Sequence, residues 1–303
     1  MIKVLLGPNG AGKSTYLRQL MGIETGRINS AMAMVFQEPL LFDLTVFENV
    51  ALGLKFRKDK TIADKVENWL KKLGIEHLKQ RRALTLSGGE AQKTALARAL
   101  VLEPKTLLLD EPFANLDIPS QLQLRLELKT IIIEHHIPTI WVTHNKEEAL
   151  AIGEHLMIMI NRQIVQEGAL KDVLQKPASK EIALFLGIDN IFQGAVTQAN
   201  GRFFFKNERI GFEVVALAKN NTWAIVHPED IILSSQPLTG TSARNCLAGR
   251  IQALTPKGLT YNVTINAGET FQVNITRVSV EEMGLTPGKA IYLIFKATAV
   301  EVI

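Results

Sequence analysis

Gly7-Pro8-Asn9-Gly10-Ala11-Gly12-Lys13-Ser14 is the stretch that decides the fold. It follows an apolar run, Ile2 to Leu6, and opens a helical pattern from Lys13 through Thr15 to Met21, so a glycine loop joins a strand to a helix. The spacing suits phosphate. Glycines let the backbone fold around an anion with its N–H groups pointing inward, and the helix N-terminus adds partial positive charge. Lys13 is expected to reach the β- and γ-phosphates of a nucleotide and Ser14 to hold Mg²⁺.

Outward from this loop, short apolar runs alternate with helical patterns. The expected strands are Ile2 to Leu6, Ala33 to Phe36, Thr106 to Leu109, Thr139 to Thr143 and Leu156 to Ile160. The expected helices are Lys13 to Met21, Ile62 to Leu73, Ser87 to Leu102, Gln121 to His135 and Lys146 to Ile152, the third opened by a capping box of Ser87 and Glu90. This order predicts an α/β domain with a mostly parallel sheet. Lys105-Thr106-Leu107-Leu108-Leu109-Asp110-Glu111 reads as a buried strand ending in two acids. Beside a phosphate loop, Asp110 would bind Mg²⁺ through water and Glu111 would act as general base on the attacking water.

After Gly187 the texture becomes short alternating strands, among them Arg202 to Phe205, Trp223 to Val226, Tyr261 to Ile265 and Tyr292 to Phe295. Turns are marked by His227-Pro228, Pro256-Lys257-Gly258, Ala267-Gly268 and Pro287-Gly288. The expected organisation is a nucleotide-binding domain over 1–187 and a small all-β, OB-like barrel domain over 188–303. With 303 residues, 47% hydrophobic, the chain is long enough for two cores. No stretch of eighteen uncharged apolar residues predicts a membrane span. The N-terminus runs straight into the glycine loop, so no leader is expected and the chain should stay in the cytoplasm. Cys246 is the single cysteine, which excludes an internal disulfide. The formal charge of +4 mixes 34 basic with 30 acidic residues, a weak argument for a nucleic-acid partner. The basic run Lys55 to Lys60 reads as a solvated helix end.

Four further elements, in order, resemble the ATP-binding-cassette family: Gln37 in Val35-Phe36-Gln37-Glu38-Pro39, the signature Leu86-Ser87-Gly88-Gly89-Glu90, Asp117 in Ala114-Asn115-Leu116-Asp117, and His144 in Val142-Thr143-His144. The resemblance implies a head-to-tail homodimer with two ATPs, each between the phosphate loop of one subunit and the signature of the other. Of the nucleotide-binding signature residues Ser87, Gly88, Gly89 and Glu90, Ser87 and Gly89 would then bind the γ-phosphate of the partner's nucleotide. Gln37 would contact Mg²⁺ and the water, His144 would hold the γ-phosphate and the water, and Asp117 would couple the two sites. It also implies transmembrane permease subunits, with this chain peripheral on the cytoplasmic face of the membrane.

Members of that family usually carry an aromatic residue well ahead of the phosphate loop, on which adenine stacks. This chain has six residues before Gly7, and its stretch from Lys13 to Gln37 is short, so the family's antiparallel β subdomain is expected to be reduced. A start placed too late, a real loss, or a base held by another group such as Phe42 would each account for this. If the N-terminus stands as written, phosphate contacts dominate, and ATP and GTP are expected to bind alike and weakly.

Near the C-terminus, Thr241-Ser242-Ala243-Arg244-Asn245, Val273-Asn274-Ile275-Thr276 and Phe295-Lys296-Ala297-Thr298-Ala299-Val300 resemble the small β modules that bind molybdate and tungstate, as found in molybdate/tungstate importer ATPases. The module spans about 241–303, and the resemblance implies an oxyanion site of Ser242, Ala243, Arg244, Thr276, Lys296, Ala297 and Thr298. A tetrahedral dianion wants cations and short donors, which this set supplies. The alternative is a barrel of the kind found in sulfate, iron or sugar importers, where these residues only satisfy turns.

The leading expectation is therefore the ATP-hydrolysing subunit of an oxyanion importer, working with a permease and an external binding protein and inhibited by molybdate or tungstate on its own C-terminal domain. An ATPase acting on nucleic acid or ribosomes is disfavoured, because no second cassette and no helix-turn-helix accompany the motifs. An oxyanion sensor without catalysis is disfavoured because the hydrolytic elements are all in place.

Overall fold

The apolar runs become strands because both of their faces are covered: Val4, Leu5 and Leu6 are buried, as are Leu107, Leu108 and Leu109. In the computed structural model, residues 1–217, 219–238 and 240–303 are described. The first unit, Met1–Val173, contains β1 (Ile2–Leu6), α1 (Lys13–Met21), β2 (Met32–Val35), α2 (Val46–Phe56), α3 (Ile62–Lys72) and α4 (Gly88–Leu100). It continues with β3 (Thr106–Asp110), α5 (Ile118–Glu134), β4 (Thr139–Thr143), α6 (Lys146–Ile152), β5 (His155–Ile160) and β6 (Gln163–Ala169).

Strand order in its six-stranded sheet is β2-β3-β4-β1-β5-β6, parallel throughout except for β6, which runs antiparallel to β5. The register pairs Leu6 with Thr143 and Asp110 with Val142. The carboxyl ends of β1, β3 and β4 therefore finish side by side, which is where open α/β sheets place their ligands.

Helix α4 starts as its sequence requires: Ser87 accepts from the Glu90 N–H, and the Glu90 carboxylate accepts from the Ser87 N–H. Helix α2 is absent from the sequence reading although Thr45 and Glu48 build the same reciprocal cap. Its inner face carries a polar residue, which breaks the apolar period. That residue, Asn49, is fully buried and spends its amide on Phe42 and Thr45, holding the loop ahead of the helix. The basic run from Lys55 begins in the last turn of α2, as a helix end should.

The division between units falls after Val173, ahead of the change in texture at Gly187. Helix α7 (Leu170–Gln175) runs across it, and α8 (Lys180–Phe185) belongs to the second unit, where Ala183 and Ile188 pack on Ile225. The second unit adds β7 (Ile191–Ala199), β8 (Arg202–Lys206), β9 (Gly211–Val214), β10 (Lys219–Val226), β11 (Ile232–Ser234) and β12 (Asn245–Lys257). It ends with β13 (Thr260–Asn266), β14 (Thr270–Thr276), α9 (Arg277–Glu282), β15 (Ala290–Phe295) and β16 (Val300–Val302). These strands form two five-stranded antiparallel sheets, β16-β10-β7-β8-β9 and β11-β15-β12-β13-β14. One apolar core joins them, in which Phe192 and Phe295 each make ring contacts with both Phe212 and Phe271. Among the described residues no helix is long and apolar enough to cross a membrane.

Candidate functional site

The phosphate loop turns twice through left-handed backbone, at Gly10 (φ +79°) and at Gly12 (φ +94°), the residue that starts α1. Gly7 is needed for another reason: a Cβ there would lie 2.3 Å from the Met159 carbonyl oxygen on β5. Lys13 is 6% exposed, and its ammonium donates to the carbonyls of Gly7 (2.8 Å) and Pro8 (3.0 Å), bridging the loop. Burial pulls its pKa below the ordinary lysine value, opposed by the negative charges of Glu111 and Asp110.

The Ser14 hydroxyl donates to Asp110 Oδ1 at 2.9 Å, so the loop and the end of β3 are already joined. Burial pushes the Asp110 carboxyl above its ordinary range, against the Ser14 hydrogen bond, while neighbouring Glu111 adds to the rise. Ser14, Asp110 and Gln37 are oxygen donors of the kind a hard divalent cation takes, which fits Mg²⁺. Among the described residues no cluster of three His, Cys, Asp or Glu has the form of a metal site.

Glu111 follows β3 in left-handed backbone (φ +44°), an arrangement that costs a non-glycine residue about 1–2 kcal/mol. Its N–H is held by the Val142 carbonyl (3.2 Å), and its Oε2 lies 2.9 Å from His144 Nδ1. The turn that presents His144 is fixed from beneath: Thr143 donates to Glu148, Asn145 N–H donates to the Thr143 hydroxyl, and Arg125 pairs with Glu148 at 3.4 Å.

A cleft of about 630 Å³ is lined by Asn9 to Thr15, Gln37, Glu111, Ala114, His144 and Arg162. Phe42, considered above for the base, is not among its lining residues. The signature Ser87, Gly88, Gly89 and Glu90 caps α4 outside that cleft, and Asp117 caps α5 by accepting from the Ser120 N–H. Arg162, in the turn between β5 and β6, went unread. Nothing local marks it, since only the pairing of β5 beside β1 brings it to the loop.

In the second unit, β12 and β15 pair antiparallel, with Asn245 opposite Phe295. One step beyond that pair stand Arg244 and Lys296, both exposed, with Ser242, Ala243, Ala297 and Thr298 adjoining them in sequence. Thr276 does not join them. It pairs with Thr260, which pairs with Lys257, twelve residues along β12 from Asn245 and roughly 40 Å of strand path away. Its hydroxyl caps α9, accepting from the Ser279 N–H. The seven residues expected to form an oxyanion cage therefore do not assemble within one copy of the chain.

Residues 1–114 match the family model described as ABC transporter, and residues 241–302 match the TOBE domain. The molybdate/tungstate import ATP-binding protein WtpC of Pyrococcus horikoshii is 39% identical, covering 99% of this chain and 91% of that protein. The spermidine/putrescine import ATP-binding protein PotA of Clostridioides difficile is 35% identical over 95% of this chain and 86% of that protein. Among solved structures, cbiO1 of Clostridium perfringens, part of the ABC transporter complex cbiONQ, matches with a TM-score of 0.53 and 29% identity, covering 62% of this chain and 84% of that one.

Proposed function

The chain belongs to the ABC transporter ATPases, and from that membership we propose that it drives the import of molybdate or tungstate. It is the ATP-binding subunit of an ABC importer, and its partners include permease subunits. The observation that carries the oxyanion reading is the near full-length likeness to a molybdate/tungstate import protein, in a chain whose Arg244 and Lys296 each lie just beyond the paired ends of strands β12 and β15.

The hydrolytic step follows from the cleft. Backbone N–H groups of the loop and the Lys13 ammonium hold the phosphates, withdrawing electron density toward the leaving ADP oxygen. Water attacks the γ-phosphorus; its oxygen forms the new bond as the bond to the β-bridging oxygen breaks. Glu111 takes the proton the water loses, and His144, fixed against Glu111, orients the carboxylate and the γ-phosphate. Ser14, Asp110 and Gln37 would hold Mg²⁺, which when bound would supply positive charge to screen the phosphates. The signature residues lie outside their own chain's cleft, which supports a head-to-tail dimer in which Ser87 and Gly89 close the partner's site.

The C-terminal unit is the feedback element in this reading. Arg244 and Lys296 neutralise the dianion, Ser242 and Thr298 donate to it, and a second copy supplies Thr276. Such a ligand inhibits only if it binds the nucleotide-open state more tightly than the closed one. The test is reconstitution with permease subunits and an external binding protein. ATPase activity should rise with tungstate- or molybdate-loaded binding protein and fall when the oxyanion is added on the cytoplasmic side. A spermidine/putrescine importer is the second reading, favoured by the likeness to PotA; stimulation by spermidine and not by oxyanion would establish it.

A further inference from the structure

We propose that Arg162 is a phosphate-binding residue of the nucleotide cleft, reaching it from the turn that follows β5. Asn161 (φ +50°) and Arg162 (φ +66°) both adopt left-handed backbone, a conformation that a side chain at each makes costly. The turn is anchored on the phosphate loop itself: the Arg162 N–H donates to the Ala11 carbonyl at 3.0 Å. Its side chain lies along the loop, so that a Cβ on Gly12 would meet the Arg162 Cγ at 3.0 Å.

Two consequences follow from this contact. Gly12 takes a backbone angle that strains any side chain, and a Cβ there would also press on the arginine stem, which would have to shift. And Arg162 lines the cleft, exposed, with no side-chain hydrogen bond or ion pair among the described residues. The neighbouring cation, Lys13, is by contrast committed to the Gly7 and Pro8 carbonyls and lies 3.9 Å from Glu111. A triphosphate entering this cleft therefore meets one cation already shared with the protein and one that is free. Arginine is suited to the second place, because its planar fork gives phosphate two parallel N–H donors.

The proposal rests on the nucleotide-binding reading of the cleft, and its test separates the two. Binding of ATP and of tripolyphosphate to the full-length chain is measured by calorimetry, for the wild type and for Arg162→Gly and Arg162→Lys. Glycine is the chosen truncation because it accepts the left-handed backbone without strain. Arg162→Gly should weaken ATP and tripolyphosphate alike, by about tenfold, with a shallower dependence on salt. Arg162→Lys should recover only part of the loss, since an ammonium restores the charge but not the two parallel donors, and thermal melting should show both variants folded. Unchanged binding in Arg162→Gly overturns the proposal. Weakened ATP with unchanged tripolyphosphate also overturns it, since the contact would then be to the base or ribose. A wild-type chain that binds neither ligand refutes the nucleotide reading itself and the proposal with it.

Discussion

His144 Nδ1 lies 2.9 Å from Glu111 Oε2, although the two residues follow different strands and stand 33 positions apart. The adjacency of β3 and β4 makes this contact, and it places both side chains in the cleft beside the phosphate loop, where the proposed hydrolysis needs a base and a group to orient it.

Replacing Glu111 with glutamine removes the proton acceptor and keeps the shape. Turnover should fall by about two to four orders of magnitude while ATP binding survives. Steady-state ATPase rates beside equilibrium ATP binding, measured with the permease present, check this; ordinary turnover in the variant refutes the assignment.

Two glycines of the loop should differ sharply. Gly7→Ala drives a Cβ to 2.3 Å from the Met159 carbonyl, so the loop must shift, and a shift of order 1 Å costs about a hundredfold in turnover. Gly10→Ala meets open space and costs only the left-handed strain, about 1 kcal/mol. Denaturant melts and ATPase rates of the pair check this; a Gly7→Ala variant no worse than Gly10→Ala would show that the loop moves freely.

Glu148 is buried with Arg125, and truncating one partner strands the other charge. Glu148→Ala should lose about 3–5 kcal/mol of unfolding free energy, read by urea denaturation. The double change to a leucine and a methionine at 148 and 125 should recover much of that loss.

Asp110 has its pKa raised by burial, so in the ligand-free chain the folded state holds its proton more tightly than the unfolded state does. Its contribution to stability therefore falls as pH rises from the unfolded pKa through the higher folded one. Asp110→Asn should remove that slope, melting higher than the parent at neutral pH while losing Mg²⁺-dependent ATP binding. A variant that melts lower than the parent at pH 7 contradicts it.

In the C-terminal unit, Arg244→Ala should weaken tungstate binding by about ten- to a hundredfold, with basal ATPase unchanged. Titration calorimetry with tungstate, molybdate and sulfate measures it, and sulfate binding as tightly as tungstate would reduce this unit to a structural tail.

What the sequence determined by itself are the features whose residues are neighbours along the chain. The phosphate loop from Gly7 to Ser14 was legible because one strand, one turn and one helix are contiguous. The cap of α4 was legible because Ser87 and Glu90 are three residues apart. The strand ending in Asp110 and Glu111 was legible because both its faces are buried. Helix α2 was equally local, but the buried Asn49 hid its apolar period, and only the Thr45 to Glu48 cap could have revealed it. Tertiary structure alone decided the rest. Arg162 reaches the loop because β5 pairs with β1, and Thr276 is kept from Arg244 by the length of β12. Both outcomes are set by strand order and register, which come from packing apolar faces that sequence spacing does not record.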